Sequence, residues 1–186
     1  MQTIERLKLE HRLISAMTDG LEAITARAKA DRRVPDEAYE LLSLFDSFAD
    51  GRHQDKEEQV LFVELLDVAE DHDRSILSRL LGDHEKERRH MSGMRVSLLG
   101  AVHGEPGCVR EFVHEADAYS TLHRSHMLRE SEIMLPMVAR LLTPDADLRV
   151  TVGFEKVEGG PGDPHGIEEQ VGSLLRRIGL PVPPAA

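Results

Sequence analysis

The sequence predicts an all-α fold, an up-down-up-down antiparallel four-helix bundle with a short C-terminal extension. Three observations point there. Apolar residues recur at alternating spacings of three and four in four long segments, interrupted only briefly by stretches rich in Gly, Pro, Asp and His. Aromatic residues make up 4% of the chain and Trp is absent, while Leu, Met, Ala, Glu and Arg are used freely, a mixture that favours helices over strands. The 186 residues suit one domain with a tail better than two cores.

The first helix is expected over about residues 3–29, capped by Thr3, with an inward stripe of Ile4, Leu7, His11 and Ile14. The second, over about 35–69, has Pro35 in its first turn and carries Leu42, Phe45, Ala49, His53, Glu57 and Leu61 on one face. The third, over about 73–100, is capped by Asp73 and runs through Leu77, Leu80, His84, Met91 and Leu98. The fourth, over about 107–142, is bounded by Gly104 to Gly107 and by Thr143-Pro144, and reads Phe112, Ala116, Tyr119, His123, His126, Glu130, Ile133 and Met137. Short loops make neighbours antiparallel and bring the four midpoints to one level. Residues 1–144 thus form the bundle, and 145–186 form a Gly- and Pro-rich tail expected as a loop followed by one short helix on Ile167, Val171, Leu174, Leu175 and Ile178.

A formal net charge of −11 argues against partners held through phosphate backbones or anionic lipid, so neither nucleic acid nor membrane is expected. No uncharged apolar run approaches the ~20 residues needed to span a bilayer. The single cysteine, Cys108, cannot form an intramolecular disulfide, and the charged N-terminal run does not read as a signal peptide, so a cytoplasmic location is expected.

The chemistry lies where polar residues occupy apolar positions. Each helix carries at least one inward histidine near its middle, and two of these have a glutamate four residues on: His53 with Glu57, and His126 with Glu130. A lone core histidine is usually bonded to a carbonyl, but four together with two inward glutamates form a different object, because buried carboxylates cost several kcal/mol unless neutralised. The predicted metal ligands are His11, His53, Glu57, His84, His126 and Glu130. This set is too rich in nitrogen for magnesium or calcium and lacks the thiolates of many structural zinc sites, which leaves iron, manganese and zinc. Two carboxylates from different helices can each serve two ions, with two histidines per ion and room for an exogenous ligand. Two ferrous ions against two glutamates and a bridging hydroxide would retain a modest positive charge that grips an anionic oxygen species.

His123, one turn before His126, reads as a residue beside the ligands, and Tyr119 reads as core. Arg88 either pairs with a carboxylate near the site or reaches solvent. His72, His90, His103, His114 and His165 are expected on surfaces or loops. Glu58, Glu85, Glu87 and Glu132 read as solvated helix faces, with Glu58 a reserve ligand.

These residues resemble the hemerythrin-like, or HHE cation-binding, family. The stretch His53-Gln-Asp-Lys-Glu57-Glu58-Gln-Val-Leu-Phe62 is similar to its second-helix signature and His126-Met-Leu-Arg-Glu130-Ser-Glu-Ile-Met-Leu-Pro136 to its fourth-helix counterpart, with Glu10-His11 and Asp83-His84 resembling the single histidines of helices 1 and 3. The resemblance covers about residues 3–142. Oxygen-carrying hemerythrins have a further histidine where this chain has Arg88 and an aspartate where it has Ser131, so oxygen carriage is not carried over. The more symmetric version resembles the eukaryotic iron-sensing hemerythrin-like domain and many bacterial proteins, and Gly153-Phe-Glu-Lys-Val-Glu158 looks like an element following the bundle in some bacterial members. The resemblance implies two non-haem iron ions, oxo- or hydroxo-bridged, with manganese or zinc as substitutes. It implies binding or sensing of a small diatomic or peroxide ligand, or of iron itself. The other readings are a di-iron enzyme that consumes peroxide and a metal-free helical interaction module. No nucleophile elbow, phosphate loop or dinucleotide fingerprint accompanies the site.

Overall fold

The computed structural model describes residues 1–159 and 164–183, and side chains outside 160–165. Six helices and no strand occur among the described residues: α1 (Gln2–Asp31), α2 (37–66), α3 (Asp71–Val102), α4 (108–141), α5 (Pro144–Val157) and α6 (Pro164–Arg177). Two of them are not uniformly α-helical. Helix α2 contains π-helical stretches at Phe45–His53 and Glu57–Leu61, and α4 contains one at Glu130–Met134.

The tail differs from expectation, since it holds two helices rather than one. Thr143-Pro144 ends α4 but also starts α5: the Thr143 hydroxyl accepts from the Ala146 amide at 3.2 Å, and Pro144 occupies the first helical turn, where its missing N–H is no loss. Ala146, Val150 and Phe154, four residues apart, form the buried face of α5. Gly153 sits on that helix because a Cβ there would lie 2.4 Å from Val60 Cγ1, so α5 rests directly against α2. Helix α6 buries Ile167, Val171, Leu174 and Leu175, the pattern read from sequence. Gly160, Gly162 and the side chain of His165 lie outside the described residues.

Helix starts also shift. Asp147 of α5 caps α1 by accepting from the Gln2 and Thr3 amides at 3.0 and 3.1 Å, so Thr3 is inside the first turn rather than its cap. Asp73 lies within the first turn of α3 and pairs with Arg140 at 2.6 Å, and Pro35 precedes α2.

The apolar core has two parts. One gathers Ile14, Met17, Phe45, Met91, Met94, Phe112 and the inward face of α6; the other gathers Leu7, Leu61, Leu65, Leu77, Leu80, Met134 and the inward face of α5. Along every long helix the change from one part to the other falls at a buried polar stretch: 10–11 in α1, 53–57 in α2, 83–87 in α3 and 123–130 in α4. Among the described residues no helix is long and apolar enough to cross a membrane.

Candidate metal centre

The π turns decide which side chains face inward in α2 and α4. A residue in an α-helix advances about 100°, so a step of four overshoots one turn by about 40°. Phe45, Ala49, His53, Glu57, Leu61 and Leu65 are separated by five successive steps of four and are all buried. In a regular α-helix the last would lie about 200° from the first. The wider π turns absorb this drift and keep His53 and Glu57 on the face that carries Phe45 and Leu65. In α4 the π turn beginning at Glu130 has a visible consequence: Met134 is fully buried, whereas Ile133, expected on the inward stripe, is 43% exposed.

All six predicted ligands are buried and converge. They form two overlapping groups, His11, His53, Glu57 and Glu130, and Glu57, His84, His126 and Glu130, in each of which the candidate ligand atoms lie within 4.8 Å of one another. Both glutamates belong to both groups. Glu130 reaches His11 Nε2 at 3.2 Å with one oxygen and His126 Nε2 at 2.8 Å with the other. Glu57 likewise lies 3.7 Å from His53 Nε2 and 3.3 Å from His84 Nε2. The Nε2 atoms of His84 and His126 face each other at 3.2 Å.

Outer contacts aim two of the imidazoles. His53 Nδ1 meets Glu10 at 2.8 Å and His84 Nδ1 meets Glu58 at 2.7 Å, so a proton held on Nδ1 leaves each Nε2 lone pair directed inward. Glu58 is therefore a half-buried partner of a histidine, and Arg88, at 2.8 Å, is its cation. Glu87 departs further from the solvated role read for it. It is fully buried, accepting from His123 Nδ1 at 3.0 Å and from Gln54 at 2.9 Å. Its position signalled this, three residues after His84 and four before Met91 on one face. His123 belongs to neither ligand group and stacks on Tyr119, whose hydroxyl donates to Asp50 at 3.0 Å. His72, His103 and His114 are exposed as expected, and half-buried His90 bonds Glu115 at 2.6 Å.

The electrostatics are those of a cation site. Burial opposes charge on His84, but the adjacent carboxylates of Glu57 and Glu58 override it and hold its pKa up to about 10. Burial is likewise overcome at His126 by Glu130, giving about 9. Glu130, despite burial, is held well below the carboxylate range by His126 and His11. The imidazolium protons thus supply the positive charge that two buried carboxylates demand. Even so, no oxygen of Glu57 or Glu130 accepts a well-formed hydrogen bond, and His11 Nδ1 and Nε2, His53 Nε2 and His126 Nδ1 also lack one. Buried polar atoms rarely stay unpaired, and a metal cation fits this donor set.

A groove of about 680 Å³ between α1 and α4 gives access. His11 and His123 line it together with Arg12, Thr18, Met127 and Ser131.

No curated protein and no solved structure matches the chain. The family model described as the hemerythrin HHE cation binding domain matches residues 2–138, which span all four ligand-bearing helices. With most of its length matched, and with buried histidines and glutamates converging in that span, the chain belongs to the hemerythrin HHE cation-binding domain family.

Proposed function

We propose that the chain binds two iron ions, one at His11 and His53 and the other at His84 and His126, with Glu57 and Glu130 serving both. The observation that carries this reading is the sharing of both glutamates between two four-ligand groups, with their oxygens left without hydrogen bonds. The supporting frame is an up-down-up-down four-helix bundle. Its polar stretches fall at mid-helix, and the order of the two core parts reverses from each long helix to the next, as antiparallel neighbours require.

When bound, iron supplies redox change and an open position for a small ligand such as dioxygen, nitric oxide or peroxide. The protein's own share is positional. Glu10 and Glu58 orient His53 and His84, and the buried glutamates neutralise the cations. The two apolar core parts exclude water from above and below the polar layer. The α1–α4 groove admits a small molecule alongside His11.

Elemental analysis of the purified chain, beside a Glu57→Ala, Glu130→Ala variant, tests the proposal. About two irons per native chain, lost in the variant, with a visible spectrum that responds to one of the three small molecules, is the expected result. Little metal after growth with iron, at unchanged helicity and melting temperature in the variant, would instead favour a helical interaction module.

A further inference from the structure

Lys56 is fully buried, although it neighbours Glu57 and belongs to neither ligand group. An ammonium is held out of water only where other charges compensate it. Here two carboxylates do so. Glu10 of α1 is one, and Glu158, just past the end of α5, is the other at 2.8 Å; the Phe154 ring lies 5.6 Å away. Glu158 is gripped in turn by Arg6. Glu10 spends its second oxygen on His53 Nδ1. An unbroken chain of contacts thus runs from the tail, through Glu158, Lys56 and Glu10, to a predicted ligand.

The other half of the centre has the same logic without the tail. His84 leans on Glu58, and Glu58 on Arg88, but Arg88 is exposed and anchored by Gln54 of α2 at 2.7 Å. In each half one histidine is aimed by a carboxylate and the other is not: His11 Nδ1 and His126 Nδ1 have no partner. One imidazole per group is therefore oriented from outside, and only the orientation of His53 depends on a residue beyond the family-matched span 2–138.

We propose that Glu158 is a positioning residue for the His11/His53 half of the centre: through Lys56 it fixes Glu10, Glu10 fixes the His53 ring, and docking of the tail thereby sets the affinity of one metal position and not the other. The proposal rests on the two-metal reading above. Gly153 lets α5 approach closely enough for this contact, and Phe154 closes its apolar side.

Cobalt(II) titration of the metal-free full-length chain against a chromophoric chelator, with the visible cobalt spectrum recorded at each step, tests it. Glu158→Gln, which keeps shape and removes charge, is expected to weaken one of two ions, by less than the about tenfold that loss of the direct His53 partner Glu10 would cause, and to leave the other at its native affinity. Arg6→Gln, which only loosens Glu158, should weaken the same ion to a smaller degree. Glu58→Gln should weaken the opposite ion, with a different spectral component lost. Equal weakening of both ions by Glu158→Gln, or native affinities for both at native helicity, would overturn the proposal while leaving the two-metal reading intact. A native chain that takes up no cobalt would overturn the two-metal reading itself. Should Glu158→Gln fail to fold, Arg6→Gln decides between the same outcomes.

Discussion

Loading the centre with metal at neutral pH should expel protons, and the structure gives their number. Without metal, His84 keeps its proton up to about pH 10 and His126 up to about pH 9. Both are therefore cationic at pH 7, and each must release its proton before Nε2 can donate to a metal. Filling the His84/His126 group at pH 7 should release about two protons, a count that belongs to the interacting set of histidines and glutamates as a whole. Affinity for that ion should rise about 100-fold per pH unit between 7 and 9, about tenfold from 9 to 10, and then level off. Zinc titration calorimetry at pH 7 in buffers of different ionisation enthalpy counts the protons, and chelator competition across the accessible pH range measures the slope. Fewer than one proton released, or an affinity that changes less than tenfold per unit, would refute the assignment of charge in the centre. The same shifts act on the metal-free fold with the opposite sense: because folding raises these pKa values, their stabilisation is complete below about pH 6.5 and is lost as pH rises through about 9 to 10.

Metal should stabilise the fold, since each of two ions at 100 times its dissociation constant contributes ~2.7 kcal/mol, together a melting shift of roughly 10–20 °C in a chain of this size; a chelator-insensitive melting temperature would contradict this. On the acid side, Glu10 is held down to about 2 by His53 and Lys56 in spite of its burial, so its contribution, about 3 kcal/mol, is present above about pH 4.5 and lost as pH falls toward 2. Glu10→Gln should flatten that limb of an acid-unfolding curve. Gly153→Ala should destabilise the metal-free chain by ~1–3 kcal/mol, because the new methyl meets the stiff Val60 side chain; urea unfolding with an unchanged midpoint would show that α5 does not rest there. Burial, with Glu87 adding, raises Asp50 to about 7, so removing its donor by Tyr119→Phe should cost ~1–3 kcal/mol above pH 7, where Asp50 ionises, and less below, as read from urea midpoints at pH 6 and 8.

The four long helices are legible because apolar residues repeat at helical spacing, and the six candidate ligands because two His-x-x-x-Glu pairs and the single histidines His11 and His84 fall on those apolar stripes. The π turns are not: the inward stripe read from sequence steps by four from Phe45 to Leu61, and ordinary α periodicity hides the angle that accumulates over those steps. Ile133 falls on the α-periodic stripe for the same reason, and the π turn at Glu130 puts Met134 in its place. The charge of Glu87 argues for solvent although its spacing puts it on the inward stripe, and position outweighs residue type there. Thr143-Pro144 reads as a stop after the fourth helix, yet a Thr before a Pro is also the signature of a helix start, and Ala146, Val150 and Phe154 follow at helical spacing. The burial of Lys56 was beyond the sequence. It depends on α5 folding back over α2, a long-range contact that no local pattern encodes.

Asp147 supplies the amide cap of α1, so the start of that helix is finished by a residue 145 positions further along the chain. Glu130 completes both ligand groups and Glu158 reaches Lys56 later still. Synthesis runs one way, and a nascent chain that stops short of these residues carries His11, His53, Glu57 and His84 but neither Glu130 nor the contact from Glu158. Both candidate ligand groups therefore wait on the same late residue, Glu130, and neither is complete before the other.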